Sequence, residues 1–272
     1  MASVVMVSCN KDDDDNPTPT PPNNPVEGKV LLFEGNSSEA EVDVKVYTDV
    51  AAFSGYNKLY VMLYEQGSKT VVKNAKVTFM PEMEMMNHTH SCPVESPTST
   101  TPTDGLFEGA VVFVMPTSGM GEWYMDVLVE NKENGKNGSV RGNVTVVDPA
   151  ERKMFSFISP TDGAKIFVSL AEPMNPDVGE NKFTVTVHAK ESMMSWPAVT
   201  DYTVEYLPWM PTMGHSSPFV NPTHSEMGHY VGEVNYTMTG LWHVYITVKD
   251  KDGTVLLDAD DKDENLAFVM TL

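Results

Sequence analysis

Four blocks of this chain occur twice in the same order, and that duplication constrains the fold more than any other feature. Asn57-Lys-Leu-Tyr-Val matches Asn181-Lys-Phe-Thr-Val, and Val77-Thr-Phe-Met-Pro81 matches Val204-Glu-Tyr-Leu-Pro208. Gly105-Leu-Phe-Glu-Gly109 matches Gly228-His-Tyr-Val-Gly232, and Gly121-Glu-Trp-Tyr-Met-Asp-Val127 matches Gly240-Leu-Trp-His-Val-Tyr-Ile246. Each copy then runs through a charged, glycine-containing turn into a last strand, 140–147 and 265–272, with the join near Asp148-Pro149-Ala150. Two modules are expected, 28–149 and 150–272, each large enough to bury its own core.

The local pattern within a copy is that of strands. Residues 41–47, 183–189 and 242–248 alternate polar and apolar, which predicts one buried and one wet face. Short runs of this kind bounded by Gly, Pro and Asn, with no amphipathic helix between them, predict an all-β fold of tandem immunoglobulin-like antiparallel sandwiches. Trp242, Val244, Ile246 and Val248 share one face and are expected in the core, as are their counterparts Trp123, Met125, Val127 and Val129. His243 then points the other way.

Methionine is the compositional anomaly: there are 19, many beside Pro, Gly, His and Glu in stretches too polar for a core. Two of those stretches are themselves repeated. Pro81-Glu-Met-Glu-Met-Met-Asn-His88 and Pro208-Trp-Met-Pro-Thr-Met-Gly-His215 each place methionines two and five residues after a proline and a histidine seven after it. Two thioethers and an imidazole form a soft ligand set that suits Cu(I), and thioethers bind without losing a proton. Structural zinc, by contrast, prefers Cys/His sets. Met83, Met86 and His88 are therefore the candidate ligands of the first copy, and Met210, Met213 and His215 those of the second. His90 and Cys92 continue the first set as His88-Thr-His90-Ser-Cys92, whose three side chains would share a side on an extended chain. His224, Met227 and His229 follow the second set and could add a donor. The competing reading is that these are structural loops whose methionines pack.

A net charge of −20 argues against a nucleic-acid partner. Two cysteines in unlike contexts, Cys9 and Cys92, give no disulfide framework. No nucleophile elbow, His-Glu-x-x-His or phosphate loop is present, so a binding protein is expected rather than an enzyme. The acidic run Asp258–Glu264 lacks the glycine and spacing of an EF-hand loop and reads as a solvated hairpin loop.

Residues 2–8 are a short apolar run of small residues leading to Cys9, followed by Asn-Lys-Asp-Asp-Asp-Asp and the proline-rich segment 16–25. This resembles the end of a lipoprotein signal, with an acidic tag of the Bacteroidota type and a disordered PPII-like tether, here 1–27 in all. It departs from that pattern in lacking a basic n-region. The resemblance implies lipidation at Cys9 and a surface-exposed outer-membrane lipoprotein.

The second copy, with Met210-Pro-Thr-Met-Gly-His215, Gly228-His-Tyr-Val-Gly232 and Met238-Thr-Gly-Leu-Trp242, resembles the YtkA-like/FixH-like family of extracytoplasmic β-sandwich domains over about 180–250, and more loosely over 57–130. That family is linked to copper handling. The resemblance implies Met238 as a further ligand, with Met115 as its first-copy match, and a copper-accepting or copper-exporting envelope protein as partner. The first copy departs in having Glu82, Glu84 and Asn87, and in its Ser/Thr/Pro-rich insertion 96–103. The rival expectation, from another class, is a structural or glycan-binding surface lipoprotein with no metal, for which Trp196, Tyr206 and Trp209 would be the aromatics to find exposed.

Overall fold

A computed structural model describes residues 24–272. Cys9, the acidic tag and nearly all of the expected tether lie outside the described residues. From Val30 onward the chain is built from antiparallel strands. The first nine are β1 (Val30–Ser37), β2 (Val42–Thr48), β3 (Gly55–Glu65), β4 (Ala75–Met85), β5 (Thr89–His90), β6 (Val94–Glu95), β7 (Phe107–Phe113), β8 (Gly121–Asn131) and β9 (Lys136–Val144). Ten follow: β10 (Met154–Ile158), β11 (Lys165–Glu172), β12 (Gly179–Lys190), β13 (Thr203–Met210), β14 (His215–Ser216), β15 (Phe219–His224), β16 (His229–Tyr236), β17 (Leu241–Lys249), β18 (Val255–Leu257) and β19 (Ala267–Thr271). Among the described residues no helix is long and apolar enough to cross a membrane.

Strand order repeats as the sequence blocks do. The sheet β1-β2-β3-β7-β6 faces β5-β4-β8-β9, and the sheet β10-β11-β12-β16-β15 faces β14-β13-β17, which carries β18 and β19 on its far edge. The 3₁₀ turns Ala259–Asp261 and Glu264–Leu266 separate β18 from β19, so together these two strands stand where β9 stands in the first half. The acidic run is thus capped structure: Asp258 accepts from the Asp260 amide and Asp263 from that of Asn265.

Each pair of sheets encloses a separate core, one drawn from residues 40–146 and the other from 155–270. The expected inward set, Trp123, Met125, Val127, Val129, Trp242, Val244, Ile246 and Val248, is at most 1% exposed. Repeated sequence blocks prove to be repeated local structures. The Asn57 side chain donates to the carbonyls of Phe53 and Gly55 and accepts from the Phe53 amide; Asn181 does the same with Asp177 and Gly179. Gly109 and Gly232 are required for close approach, since a Cβ there would strike the carbonyls of Glu95 and Val220.

The wet face is where expectation and structure part. Thr184, Thr186 and His188 occupy the polar side of β12 yet are 2%, 0% and 3% exposed. The first half covers this side: Tyr56, Ala110 and Val112 pack against Ala171 and Met154. On β17, His243, Tyr245 and Thr247 are likewise buried, beneath the segment that carries the 3₁₀ turns.

Candidate metal centre

In both halves a long inner strand ends in Pro-x-Met, turns, and returns as a two-residue strand carrying His-Ser. Period-two alternation aims Pro81 and Met83 of β4, and Pro208 and Met210 of β13, inward. Met83 lies across from His90 on one side and Trp123 on the other; Met210 pairs with His215, and its row continues to Trp242. Thioether, imidazole and indole therefore sit in one row at the end of each sandwich.

The rings meet edge to face. His90 and Trp123 have centroids 5.2 Å apart at 89°, and His215 and Trp242 are 5.4 Å apart at 81°. His90 Nδ1 is 2.8 Å from the Ser91 carbonyl and His215 Nδ1 is 2.7 Å from that of Ser216. A carbonyl can only accept, so Nδ1 carries the proton in both rings and the Nε2 lone pair is left open in the neutral form. Among the described residues neither Nε2 makes a hydrogen bond. The serines are anchored in turn, their hydroxyls donating to the carbonyls of Pro81 (2.9 Å) and Pro208 (2.8 Å). Each indole N–H donates to a methionine carbonyl, Trp123 to Met115 and Trp242 to Met238. Gly121 and Gly240 leave room for the thioether methyls: a Cβ there would lie 2.9 Å from Met83 Cε and 3.0 Å from Met210 Cε.

Beyond this row the remaining methionines of the two candidate sets range from half-buried to fully open. Met86 is 91% exposed at the tip of the β4–β5 hairpin, and Met213 is 63% exposed in the shorter β13–β14 turn. Met238 is 39% exposed and Met115 half-buried. Met83 (0%) and Met210 (2%) pack into the cores.

Counting from the prolines pairs His88 with His215, but the structure pairs His90 with His215. The hairpin of the first half is two residues longer, closed by the Met85 amide on the His88 carbonyl, so His88 lies on its exposed side. The repeated His-Ser dipeptide was the signal that would have fixed this register. Cys92 and His90 face inward while His88 faces out, so the three do not share a side. Burial pushes the Cys92 thiol well up, which keeps it protonated and removes the thiolate a soft ion would want. His229 is engaged elsewhere: its Nε2 is 2.8 Å from Glu95 Oε1 across the seam between the halves, and the Tyr56 hydroxyl donates to the other oxygen of Glu95. Burial lowers the His90 pKa, and the positive charge of Lys190 in the second half acts in the same direction. Trp123 and Trp242, expected as core anchors, also wall the two candidate sites. Among the described residues no three His, Cys, Asp or Glu side chains converge on one point, so any ion held here depends on thioethers.

Of the three aromatics expected of a glycan platform, two are buried and Trp209 is half-buried. Tyr206 is 2% exposed, with its hydroxyl between the carbonyls of Phe183 and Tyr230. Trp196 is 9% exposed, and Trp209 lies under Lys262.

With this geometry in hand, the chain is an all-β protein with a YtkA-like segment: the YtkA-like family model matches residues 161–247. That span holds β11 to β16, most of β17 and the His215 site. No curated protein is a detectable relative. Among solved structures, the chain is similar to invasin, a bacterial integrin-binding protein, at 11% identity over 85% of this chain and 39% of that one, with a TM-score of 0.26. It thus spans about two fifths of the invasin chain. A conserved domain protein from Bacillus anthracis matches at 10% identity over 92% and 91% of the two chains, with a TM-score of 0.32. Domains 5-6 of the S-layer protein SbsC match at 11% identity over 84% and 94%, with a TM-score of 0.29. Likeness this slight carries no argument about activity.

Proposed function

We propose that the chain is a lipid-anchored protein of the cell envelope that binds and carries Cu(I) at two sites, one on each of two tandem YtkA-like/FixH-like modules. In this reading His90 and Met83 hold the ion in the first module, joined by Met86 or Met115 at the rim. His215 and Met210 hold it in the second, joined by Met213 or Met238. The supporting observation is the twice-built imidazole whose Nδ1–H is given to a carbonyl and whose cross-strand partner is a buried methionine, with Nε2 left unbonded. Metal-ligating histidines are oriented in this way by their outer partners. The indole face alongside can add cation–π attraction to a cation at that position. Lipidation at Cys9 and placement at the outer membrane rest on the N-terminal resemblance alone, and the absence of a catalytic role on the motif reading.

The test is a competition titration of Cu(I) against a chelator under reducing conditions, with Cys9→Ser to remove the competing thiol. Two equivalents are expected. Loss of one equivalent in Met210→Leu/Met213→Leu/His215→Leu supports the reading, and an unchanged stoichiometry overturns it.

A further inference from the structure

The two sites are built alike but are not enclosed alike. His90 is 5% exposed, whereas His215 is only half-buried. One structural difference between them lies in the second half. Its β12–β13 connection forms a tight turn at Ser192–Ser195, closed by the Ser192 amide on the Ser195 carbonyl and by the Ser192 hydroxyl accepting from the amides of Met194 and Ser195. This turn docks on the free edge of β5: the Ser91 amide donates to the Met193 carbonyl at 2.8 Å. The same carbonyl accepts from the Trp196 indole N–H. The Met193-Met194 pair is thereby fixed one residue from His90, with Met193 half-buried and Met194 53% exposed. The corresponding β3–β4 connection of the first half, Gln66–Asn74, contains no methionine, and it makes no such bond to β14.

We propose that the first site is completed across the seam, with a thioether of the Met193-Met194 turn joining His90 and Met83 on a soft monovalent cation. The inference rests on the copper reading of the His90 site and goes beyond it, because none of the duplicated blocks includes residues 193–194. The chain then holds one site closed by both halves and one, at His215, served by a single half and open to solvent. The closed site binds more tightly and releases more slowly.

The experiment uses the full chain with Cys9→Ser, titrated with Cu(I) against a chelator, and compares it with Met193→Leu/Met194→Leu, in which similar volume is kept. At least a tenfold weakening of the tighter site, with the weaker one unchanged, is expected. A second measurement separates a ligand from a packing role: with Ag(I) as a stand-in ion and ¹³C-methyl-labelled methionine, one of the Met193 and Met194 methyl resonances should shift with the first equivalent. Two bound ions with unchanged affinities in the variant and unmoved methyls would overturn the inference while leaving the copper reading intact. No bound ion in the parent chain would overturn both.

Discussion

His90 stands edge-on to Trp123 with ring centroids 5.2 Å apart, and the hairpin that carries it is two residues longer than the one that sets His215 against Trp242. This register decides which histidine matters. His90→Leu is expected to remove one Cu(I) equivalent and His88→Leu to leave the stoichiometry unchanged, read by the same chelator competition. Binding at either site should also quench indole emission, and Trp123→Phe should remove the part of the quenching that accompanies the first equivalent.

The buried and exposed methionines should separate cleanly in stability. Met83→Ala and Met210→Ala empty core positions and are expected to cost roughly 2–5 kcal/mol each. Met86→Ala and Met213→Ala act on solvated turns and are expected to stay within about 0.5 kcal/mol. Urea unfolding of the metal-free chain checks all four.

Asn57 and Asn181 make the same three hydrogen bonds in different surroundings. Asn57 is 2% exposed, so Asn57→Ala leaves a buried amide and two carbonyls unpaired and is expected to cost roughly 2–4 kcal/mol. Asn181 is only half-buried and water can replace its side chain, so Asn181→Ala should cost clearly less in the same assay.

Acid should loosen the seam between the halves. Burial lowers the His188 pKa to about 4; Glu95 opposes that shift and His229 adds to it. The unfolded chain, with an imidazole near 6.5, binds the proton first, so stability is full above about pH 6.5 and falls as pH drops toward 4. The loss is on the order of 3 kcal/mol at most. Unfolding midpoints between pH 4 and 7 should flatten in His188→Leu relative to the parent, and equal slopes would count against this assignment.

Much of the architecture could be read from the residues. The duplicated blocks foretold the repeated strand order, and alternation placed Trp123, Trp242 and the valines beside them correctly, because both are local properties of strands. Thr184, Thr186 and His188 look wet in sequence, and nothing local reveals that another sheet lies across them. The equivalence of His90 and His215 was hidden for a different reason. Counting from Pro81 and Pro208 assumes hairpins of equal length, and only strand pairing exposes the two extra residues. His229 and Cys92 look like plausible ligands by residue type, but the fold gives one a carboxylate across the seam and sinks the other in the core.

The side of the β11–β12 pair that meets the first half bears hydroxyls and an imidazole, and three of these polar atoms, on Ser169 of β11 and on Thr186 and His188 of β12, have no partner among the described residues. A cut between Val147 and Met154 would return those groups to water rather than uncover a sheet of leucines. The seam therefore has the composition of an exterior: the first half is laid over a surface already suited to solvent.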